Sequence, residues 1–258
     1  MNESNYQDAI NYLYSLTQSG MKLGLKNTAR LLRHFGDPQL KLPTIHVAGT
    51  NGKGSTAAIT ESILKAAGYK VGLYTSPHLL DFRERIQINR KMIEKQQTVD
   101  LILRIRSAVE NLGIPITFFE FGTVLAFLYF HEQNTDISII EVGLGGRLDA
   151  TNLCKAKISI ITSISLDHTQ YLGDNLQQIA FEKASIIKER GTVFAHIPEE
   201  EVFQVVNRLA KKCFADVYRL GLEFHVAPEA GNRENNTFSY RWGSWSLKKL
   251  TLPLNGRF

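Results

Sequence analysis

Hydrophobic positions along the chain alternate between short continuous runs and stretches with a spacing of three or four residues. The continuous runs predict buried strands at 45–48, 70–75, 136–142, 157–165 and 192–196. The helical spacing predicts helices at 8–16, 29–35, 57–67, 94–112, 119–131, 175–188 and 199–214. Because strands joined by helices pair in parallel, this order predicts an α/β fold, a mostly parallel sheet with helices on both faces.

The pattern changes from about Leu222 onward. Short segments of alternating polar and apolar residues, at 224–226, 238–242 and 244–252, are separated by Gly, Asn and Pro. Such segments are typical of a small antiparallel meander. We therefore expect one domain over residues 1–258, in which 222–258 form an antiparallel extension.

Composition and charge narrow the class of protein. The 258 residues are 21% charged and 43% hydrophobic, as is ordinary for a globular protein with a large core. The net charge of +5 is spread without a basic block, which argues against nucleic-acid binding and favours small anionic substrates. Cys154 and Cys213 have no metal-ligand spacing, and the longest apolar segment, 118–130, is too short to span a membrane. We expect a cytoplasmic monomer without a membrane or nucleic-acid partner.

A glycine-rich segment between the first predicted strand and its helix has the composition of a phosphate-binding loop. Glycines let backbone N–H groups converge on an anion, the helix N-terminus adds positive potential, and Lys53 adds a full charge. The loop residues are Gly49, Thr50, Asn51, Gly52, Lys53, Gly54, Ser55 and Thr56. Ser55 or Thr56 can offer a hydroxyl to a phosphate-bound Mg²⁺. The loop is shorter than the strict phosphate-loop pattern, so a tight turn without a ligand is the alternative.

Three further polar residues, Ser76, Glu141 and His168, lie near the ends of predicted strands. Ligands of open α/β sheets bind beyond the carboxyl ends of the strands, so we expect these residues beside the phosphate loop. A carboxylate in an apolar strand, such as Glu141, needs a metal or a cation to offset its desolvation. Taken alone, Ser76 has the alternative interpretation of a residue that caps a turn, and His168 that of a structural residue without a ligand. Together with the loop, the three predict a metal–nucleotide site.

The sequence Gly-Thr-Asn-Gly-Lys-Gly-Ser-Thr at 49–56 resembles the ATP loop of the Mur-ligase superfamily and, within it, of the folylpolyglutamate synthase/dihydrofolate synthase family. Further segments resemble motifs of that family in the same order, and the resemblance covers most of residues 20–190. These segments are 75–79, 83–86, 119–121, 141–152, 166–168 and 179–184.

The resemblance implies a set of site residues. It implies that Ser76, Glu141 and His168 bind Mg²⁺ and that Lys183 is carbamylated near the metal. It also implies that a pterin substrate lies near Thr75, Phe119, Glu120, Phe121, Leu148, Asp149 and Ala150, with the 20–25 loop close by. A carbamate forms only on the neutral amine, so Lys183 needs a lowered pKa. The alternative for Lys183 is a solvated helix lysine.

The resemblance also implies a reaction. The carboxylate of dihydropteroate or a reduced folate attacks the γ-phosphate of ATP, and the amine of L-glutamate then displaces phosphate from the acyl phosphate. We expect Lys53, Lys183 and His168 to be the catalytic residues, with Lys53 and Mg²⁺ stabilising the transferred charge.

Departures from the family pattern leave two other functions open. Arg90 and Ser185 stand where the family commonly has glycine, and the family continues into a second α/β domain to which 252–258 resemble the lead-in. We therefore expect a truncated chain that ligates poorly alone. The alternatives are another Mur-type amide ligase and a non-catalytic nucleotide-binding module.

Overall fold

In the computed structural model, which describes residues 3–19, 24–229 and 236–252, helices and strands alternate along most of the chain. The helices are α1 (Glu3–Ser15), α2 (Lys26–His34), α3 (Lys53–Ala66), α4 (Lys95–Leu112), α5 (Phe118–Glu132), α6 (Thr169–Leu172), α7 (Leu176–Ala184) and α8 (Glu200–Lys212). The strands are β1 (Thr44–Ala48), β2 (Val71–Tyr74), β3 (Ile86–Ile88), β4 (Lys91–Met92), β5 (Ile137–Glu141), β6 (Ala156–Ile161), β7 (Thr192–Ala195), β8 (Asp216–Arg219), β9 (Phe224–Pro228), β10 (Asn236–Trp242) and β11 (Trp245–Leu252).

The main sheet has the strand order β4-β3-β2-β5-β1-β6-β7-β8. The six strands from β2 to β8 in this order pair in parallel, whereas β3 and β4 form an antiparallel hairpin at one edge. The first strand of the chain, β1, is central, and later strands are added on both sides of it. The predicted mostly parallel α/β sheet is confirmed, and its topology places the loop after β1 in the crevice between the two directions of strand addition.

Alternating side chains of the central strands supply two faces of the core. Ile45, Val47 and Ile139 pack with Ala57 of α3 on one face. On the other face, Ile140 belongs to a larger cluster formed mainly by α1, α4 and α5. Because successive strand residues point to opposite faces, both layers are buried and the sheet carries helices on each side, as predicted.

The antiparallel extension is also confirmed. β9, β10 and β11 form a separate three-stranded sheet in the order β11-β10-β9. It contacts the edge of the main sheet through aromatic rings: Trp242 lies 5.8 Å from Phe194 and 5.1 Å from Tyr218 between ring centroids. Residues 20–23 of the predicted 20–25 loop, and 253–258 of the predicted lead-in, lie outside the described residues.

Several element boundaries differ from the sequence prediction. β6 ends at Ile161 and not at 165, because the hydroxyl residues that follow leave the sheet to bond the loop after β1. α7 ends at Ala184 and not at 188, where the Ser185 hydroxyl donates to the carbonyl of Phe181. The short elements β3, β4, β8 and α6 were not predicted. Among the described helices, none has both the length and the apolar character needed to span a bilayer.

We expect Phe130→Ala to destabilise the chain strongly. Phe130 is fully buried in the last turn of α5, and its ring packs so closely on Gly72 of β2 that a Cβ there would lie 2.8 Å from Phe130 Cδ1. Removing the ring leaves a cavity against the sheet, so the free energy of unfolding should fall by roughly 3–5 kcal/mol in urea denaturation. Leu103→Ala, on the exposed side of α4, is the control and should change it by less than about 0.5 kcal/mol. An equal decrease in the free energy of unfolding in both variants would contradict the packing of Phe130 against Gly72.

Candidate active site

The loop between β1 and α3 turns sharply at two glycines. Gly49 and Gly52 have φ values of 154° and 81°, and Gly52 is the N-cap residue immediately before α3. A Cβ on Gly49 would collide with the hydroxyl of Thr162, so only glycine fits between β1 and the loop after β6. The loop therefore delivers the N-terminus of α3 to the crevice at the carboxyl end of the sheet, as an anion site requires.

Hydroxyl side chains of the loop after β6 hold the phosphate loop in place. The amide of Asn51 donates to Ser163 Oγ at 3.0 Å, and Thr162 Oγ1 donates to the Asn51 carbonyl at 2.6 Å. Thr50 Oγ1 donates to the Ser165 carbonyl at 3.2 Å and accepts from the Ser165 amide at 3.0 Å. We call Thr50, Asn51, Thr162, Ser163 and Ser165 the hydroxyl clasp. The sequence analysis missed its 162–165 half, for which the only signal was a Thr-Ser-Ile-Ser segment at a strand end.

Two ammonium groups converge on one carbonyl of the phosphate loop. Lys53 Nζ donates to the carbonyls of Gly49 and Thr50, both at 3.0 Å, and Lys183 Nζ donates to Gly49 at 2.9 Å. Within the described residues, neither lysine forms an ion pair with a carboxylate. Burial and the charge of Lys53 lower the pKa of Lys183 to about 8, with Asp167 opposing the shift. Lys183 is thus not the solvated helix lysine of the alternative, since it is only 3% exposed.

Glu141, the last residue of β5, stands against the same loop. Its Oε2 accepts from the backbone amide of Ser76 at 2.9 Å, and a Cβ on Gly54 would lie 3.5 Å from that oxygen. Burial raises the pKa of Glu141, while the Ser76 amide and the charges of Lys53 and Arg85 oppose the shift. The carboxylate, the serine and the lysine therefore share one site, as the convergence of strand ends predicts.

The oxygen groups at this point fit a phosphate-bound Mg²⁺. Magnesium prefers oxygen ligands and usually binds through one or two carboxylates, waters and substrate phosphates, without an all-protein cage. No described protein group donates to Glu141 Oε1, and the Ser76 hydroxyl lies on the same loop as the amide that holds Oε2. Across the described part of the chain, no cluster of three or more His, Cys, Asp or Glu side chains could hold a metal by itself. The donor set suits an ion that arrives with its phosphate.

His168 lies on the loop after β6, where it begins α6 with a left-handed backbone (φ 46°). Its side chain is half-exposed, and Nε2 lies 3.7 Å from Asp167 Oδ1. It lines the same cavity as Lys53 and Ser76, so its imidazole is not a satisfied core residue.

A cavity of about 600 Å³ opens beside the phosphate loop. Eight residues that the sequence analysis assigned to metal, phosphate or substrate line it: Lys53, Ser76, Phe119, Glu120, Leu148, Asp149, Ala150 and His168. Gly24 of the predicted 20–25 loop and Phe118, which begins the predicted pterin segment of α5, line it as well. Residues without a predicted role also line the wall: Leu16, Thr17, Pro77, Arg85, Thr117, Gly143 and Leu144. Polar groups lie near the phosphate loop, and aromatic and aliphatic side chains form the remainder, which is the usual composition of a small-molecule site.

Two assigned carboxylates on this wall are taken up by the protein itself. Glu120 caps α5, where Oε2 accepts from the amide and hydroxyl of Thr117, and Oε1 accepts from Thr28. Asp149 accepts from the amide of Leu144 at 2.8 Å and from Thr151. Both carboxylates therefore shape the cavity by fixing its loops.

Two residues that were assigned to the substrate lie elsewhere. Thr75 lines a second cavity of about 530 Å³ together with Glu141, on the other side of Ser76. Phe121 lines neither: it is fully buried in the core, edge-on to Tyr12 at 5.8 Å between ring centroids. α5 is apolar on nearly all sides, so its sequence could not indicate which ring faces the cavity.

Comparisons with known proteins agree with this geometry. The Mur ligase middle domain model matches residues 47–258. The chain is 41% identical to the dihydrofolate synthase/folylpolyglutamate synthase of Bacillus subtilis, over 80% of this chain and 49% of that protein. A folylpolyglutamate synthase structure from Thermotoga maritima superposes with a TM-score of 0.90 at 36% identity, over 99% of this chain and 59% of that one. The structure of an FPGS-AMPPCP-folate complex superposes with a TM-score of 0.89 at 33% identity, over 96% of this chain and 62% of that one. The chain spans about half the length of the curated relatives that it matches.

The lowered pKa of Lys183 predicts a pH-dependent stability. The pKa of Lys183 is about 8 in the folded chain, against 10.5 for an ordinary lysine, as in the unfolded chain. Between pH 8 and pH 10.5, the folded chain therefore binds fewer protons than the unfolded chain. The free energy of unfolding of the wild type, relative to Lys183→Met, should therefore rise by roughly 1 kcal/mol per pH unit from about pH 8.5 to pH 10. Urea denaturation in carbon-dioxide-free buffer measures it. Below about pH 7 both states are protonated and the difference should be constant, whereas a flat difference throughout would contradict the shift.

Proposed function

The chain belongs to the Mur ligase family through its middle domain, and from this premise we propose that it binds ATP for an amide ligase of the folylpolyglutamate synthase/dihydrofolate synthase type. The observation that carries the proposal is the pair of ammonium groups, Lys53 and Lys183, which share the Gly49 carbonyl without a carboxylate partner among the described residues. A clasped glycine loop with excess positive charge, open to a cavity, is suited to a polyphosphate.

The triphosphate of ATP occupies the mouth of this loop. Its oxygens accept from the amides at the start of α3, and Lys53 turns from the Gly49 and Thr50 carbonyls to the β- and γ-phosphates. Bound Mg²⁺ would neutralise the charge that develops on the transferred phosphoryl group. Ser76, Glu141 and His168 would hold this ion.

Lys183 is proposed to carry a carbamate. With a pKa of about 8, roughly a tenth of the amine is neutral at pH 7, and a neutral amine adds carbon dioxide with release of one proton. The product carries a negative charge next to Lys53, so it replaces a like-charge pair with an attractive one. A carboxylate-like group at this position would also supply an oxygen ligand for the metal.

The acceptor substrate occupies the 600 Å³ cavity. Phe118 and Phe119 at the start of α5, with Leu148 and Ala150 opposite, provide apolar walls that suit a planar ring system. The acid end of such a substrate then faces Lys53 and Ser76, where its carboxylate attacks the γ-phosphate. We propose dihydropteroate or a reduced folate as this acid, and L-glutamate as the amine that forms the amide.

Nucleotide binding tests the proposal directly. Lys53→Ala should weaken AMPPCP binding in the presence of Mg²⁺ by roughly tenfold or more in isothermal titration calorimetry, because a charge-assisted contact to phosphate is lost. Lys65→Ala removes an exposed lysine at the far end of α3 and should leave the affinity unchanged. Equal affinities for Lys53→Ala and the wild type, or no nucleotide binding by the wild type, would contradict the proposed site.

A second variant tests the metal side of the site. Glu141→Gln keeps the shape of the side chain but removes its charge, so Mg²⁺ should no longer increase the affinity for AMPPCP as much as in the wild type. We expect roughly a tenfold loss of this metal-dependent gain, and an unchanged affinity in excess chelator. Titrations with and without Mg²⁺ measure the gain. A full gain in Glu141→Gln would show that the carboxylate does not hold the ion.

A further inference from the structure

Arg85 is a buried cation that no described carboxylate neutralises. It ends the short 3₁₀ turn Phe82–Arg85 and is 8% exposed. Its Nε donates to His78 Nδ1 at 2.7 Å, and its guanidinium lies 5.2 Å from the centre of the Phe118 ring. Neither terminal amino group donates to a described protein group. An unpaired buried charge is costly, so this arrangement leaves a place for an anion.

The acidic side chains nearest in sequence already have other partners. Asp81 accepts from the guanidinium of Arg83 at 2.7 Å and from the hydroxyl of Tyr6 at 3.0 Å. Glu84 accepts from three consecutive backbone amides, those of residues 79–81, at 2.7–2.9 Å. The loop thus folds without using Arg85 as an ion-pair partner, and the guanidinium is left on the wall of the 600 Å³ cavity.

Neighbouring rings fix the direction of the Arg85 side chain. His78 Nε2 lies 3.1 Å from the hydroxyl of Tyr14 on α1, and Tyr14 stacks on Phe118 at 5.8 Å between ring centroids. The imidazole therefore holds Nε from one side while Phe118 supports the guanidinium plane. The terminal amino groups, with the geometry of a fork, are left for a ligand.

The contacts of Arg85 on the wall indicate which anion it meets. The phosphate groups belong to Lys53 and the amides of the loop. Arg85 lines the same cavity as Ser76, its backbone carbonyl accepts from the amide of Thr75 at 3.0 Å, and its guanidinium lies 5.2 Å from the centre of the Phe118 ring. Its charge also reaches Glu141, where it opposes the rise in pKa that burial causes. An acid bound with its ring against Phe118 and its reacting end near Ser76 has its carboxylate beside Arg85.

We propose that Arg85 binds the carboxylate of the acceptor substrate, an aryl carboxylic acid, and orients it toward the phosphate loop. This assignment rests on the function proposed above. Both terminal amino groups of the guanidinium donate to one carboxylate oxygen and leave the other free to attack phosphorus. Since arginine stays charged at all relevant pH values, the same contact persists as the acyl phosphate forms.

A pair of ligands that differ only in the carboxylate tests the role. Calorimetry with AMPPCP and Mg²⁺ present compares pteroate with the same pterin that carries an unsubstituted aniline ring. The wild type should prefer the acid by roughly tenfold to a hundredfold, the range of a charge-assisted pair. Arg85→Gln should abolish this preference while its affinity for the uncharged ligand and for AMPPCP stays within about threefold of the wild type.

The neighbouring Arg83 supplies the matched control. Arg83→Gln removes a guanidinium from the same turn, but one that is paired with Asp81 outside the cavity, so the preference for the acid should persist. Arg85→Lys keeps a positive charge without the fork and should lower the preference by at least about threefold, which provides a second measurement if Arg85→Gln does not fold.

The outcomes separate this assignment from the proposed function. A wild-type preference that survives in Arg85→Gln or is unchanged in Arg85→Lys would overturn the role of Arg85, while binding of pteroate would still support the ligase. Binding of neither pterin by the wild type would overturn both. Loss of the preference in Arg83→Gln as well would assign the effect to the loop and not to Arg85.

Discussion

The carbonyl oxygen of Gly49 accepts hydrogen bonds from two ammonium groups at once, and the rest of the site depends on this arrangement. Burial disfavours the charged form of Lys183 and the like charge of Lys53 repels it, and together they lower the pKa of Lys183 to about 8. A polyphosphate anion, or a carbamate on Lys183, relieves that repulsion. The loop holds the charges together because the hydroxyl clasp fixes its backbone from the side of β6.

The topology of the sheet explains how distant segments reach this point. β2, β5, β1 and β6 are neighbours in the parallel sheet, so their carboxyl ends meet at one edge. Each contributes one part: Ser76 after β2, Glu141 at the end of β5, the phosphate loop after β1 and His168 after β6. α5 then closes the cavity from the side, because its first turn carries Phe118 and Phe119 while its remaining length is buried in the core.

The sequence was sufficient to predict the parallel sheet and the residues at its strand ends, because both follow from continuous apolar runs and their order. It was not sufficient where several side chains meet across loops. The Arg85–His78 contact joins two residues of one loop, and the conformation of that loop depends on the hydrogen bonds of Glu84. In the sequence, residues 162–165 look like a continuation of β6, because their hydrogen bonds to the phosphate loop form only in the folded chain. Phe121 faces the core because tertiary packing, and not periodicity, orients a helix that is apolar on all sides.

The crystal structure of the chain with AMPPCP and Mg²⁺ is the most direct test of the central claim. We predict that Lys53 Nζ leaves the Gly49 and Thr50 carbonyls and contacts phosphate oxygens, while the hydrogen bonds of the hydroxyl clasp keep their present partners. Glu141 and Ser76 should lie on the metal side of the phosphates. Phosphates bound away from this loop, or a Lys53 that stays on the Gly49 carbonyl in the complex, would contradict the account.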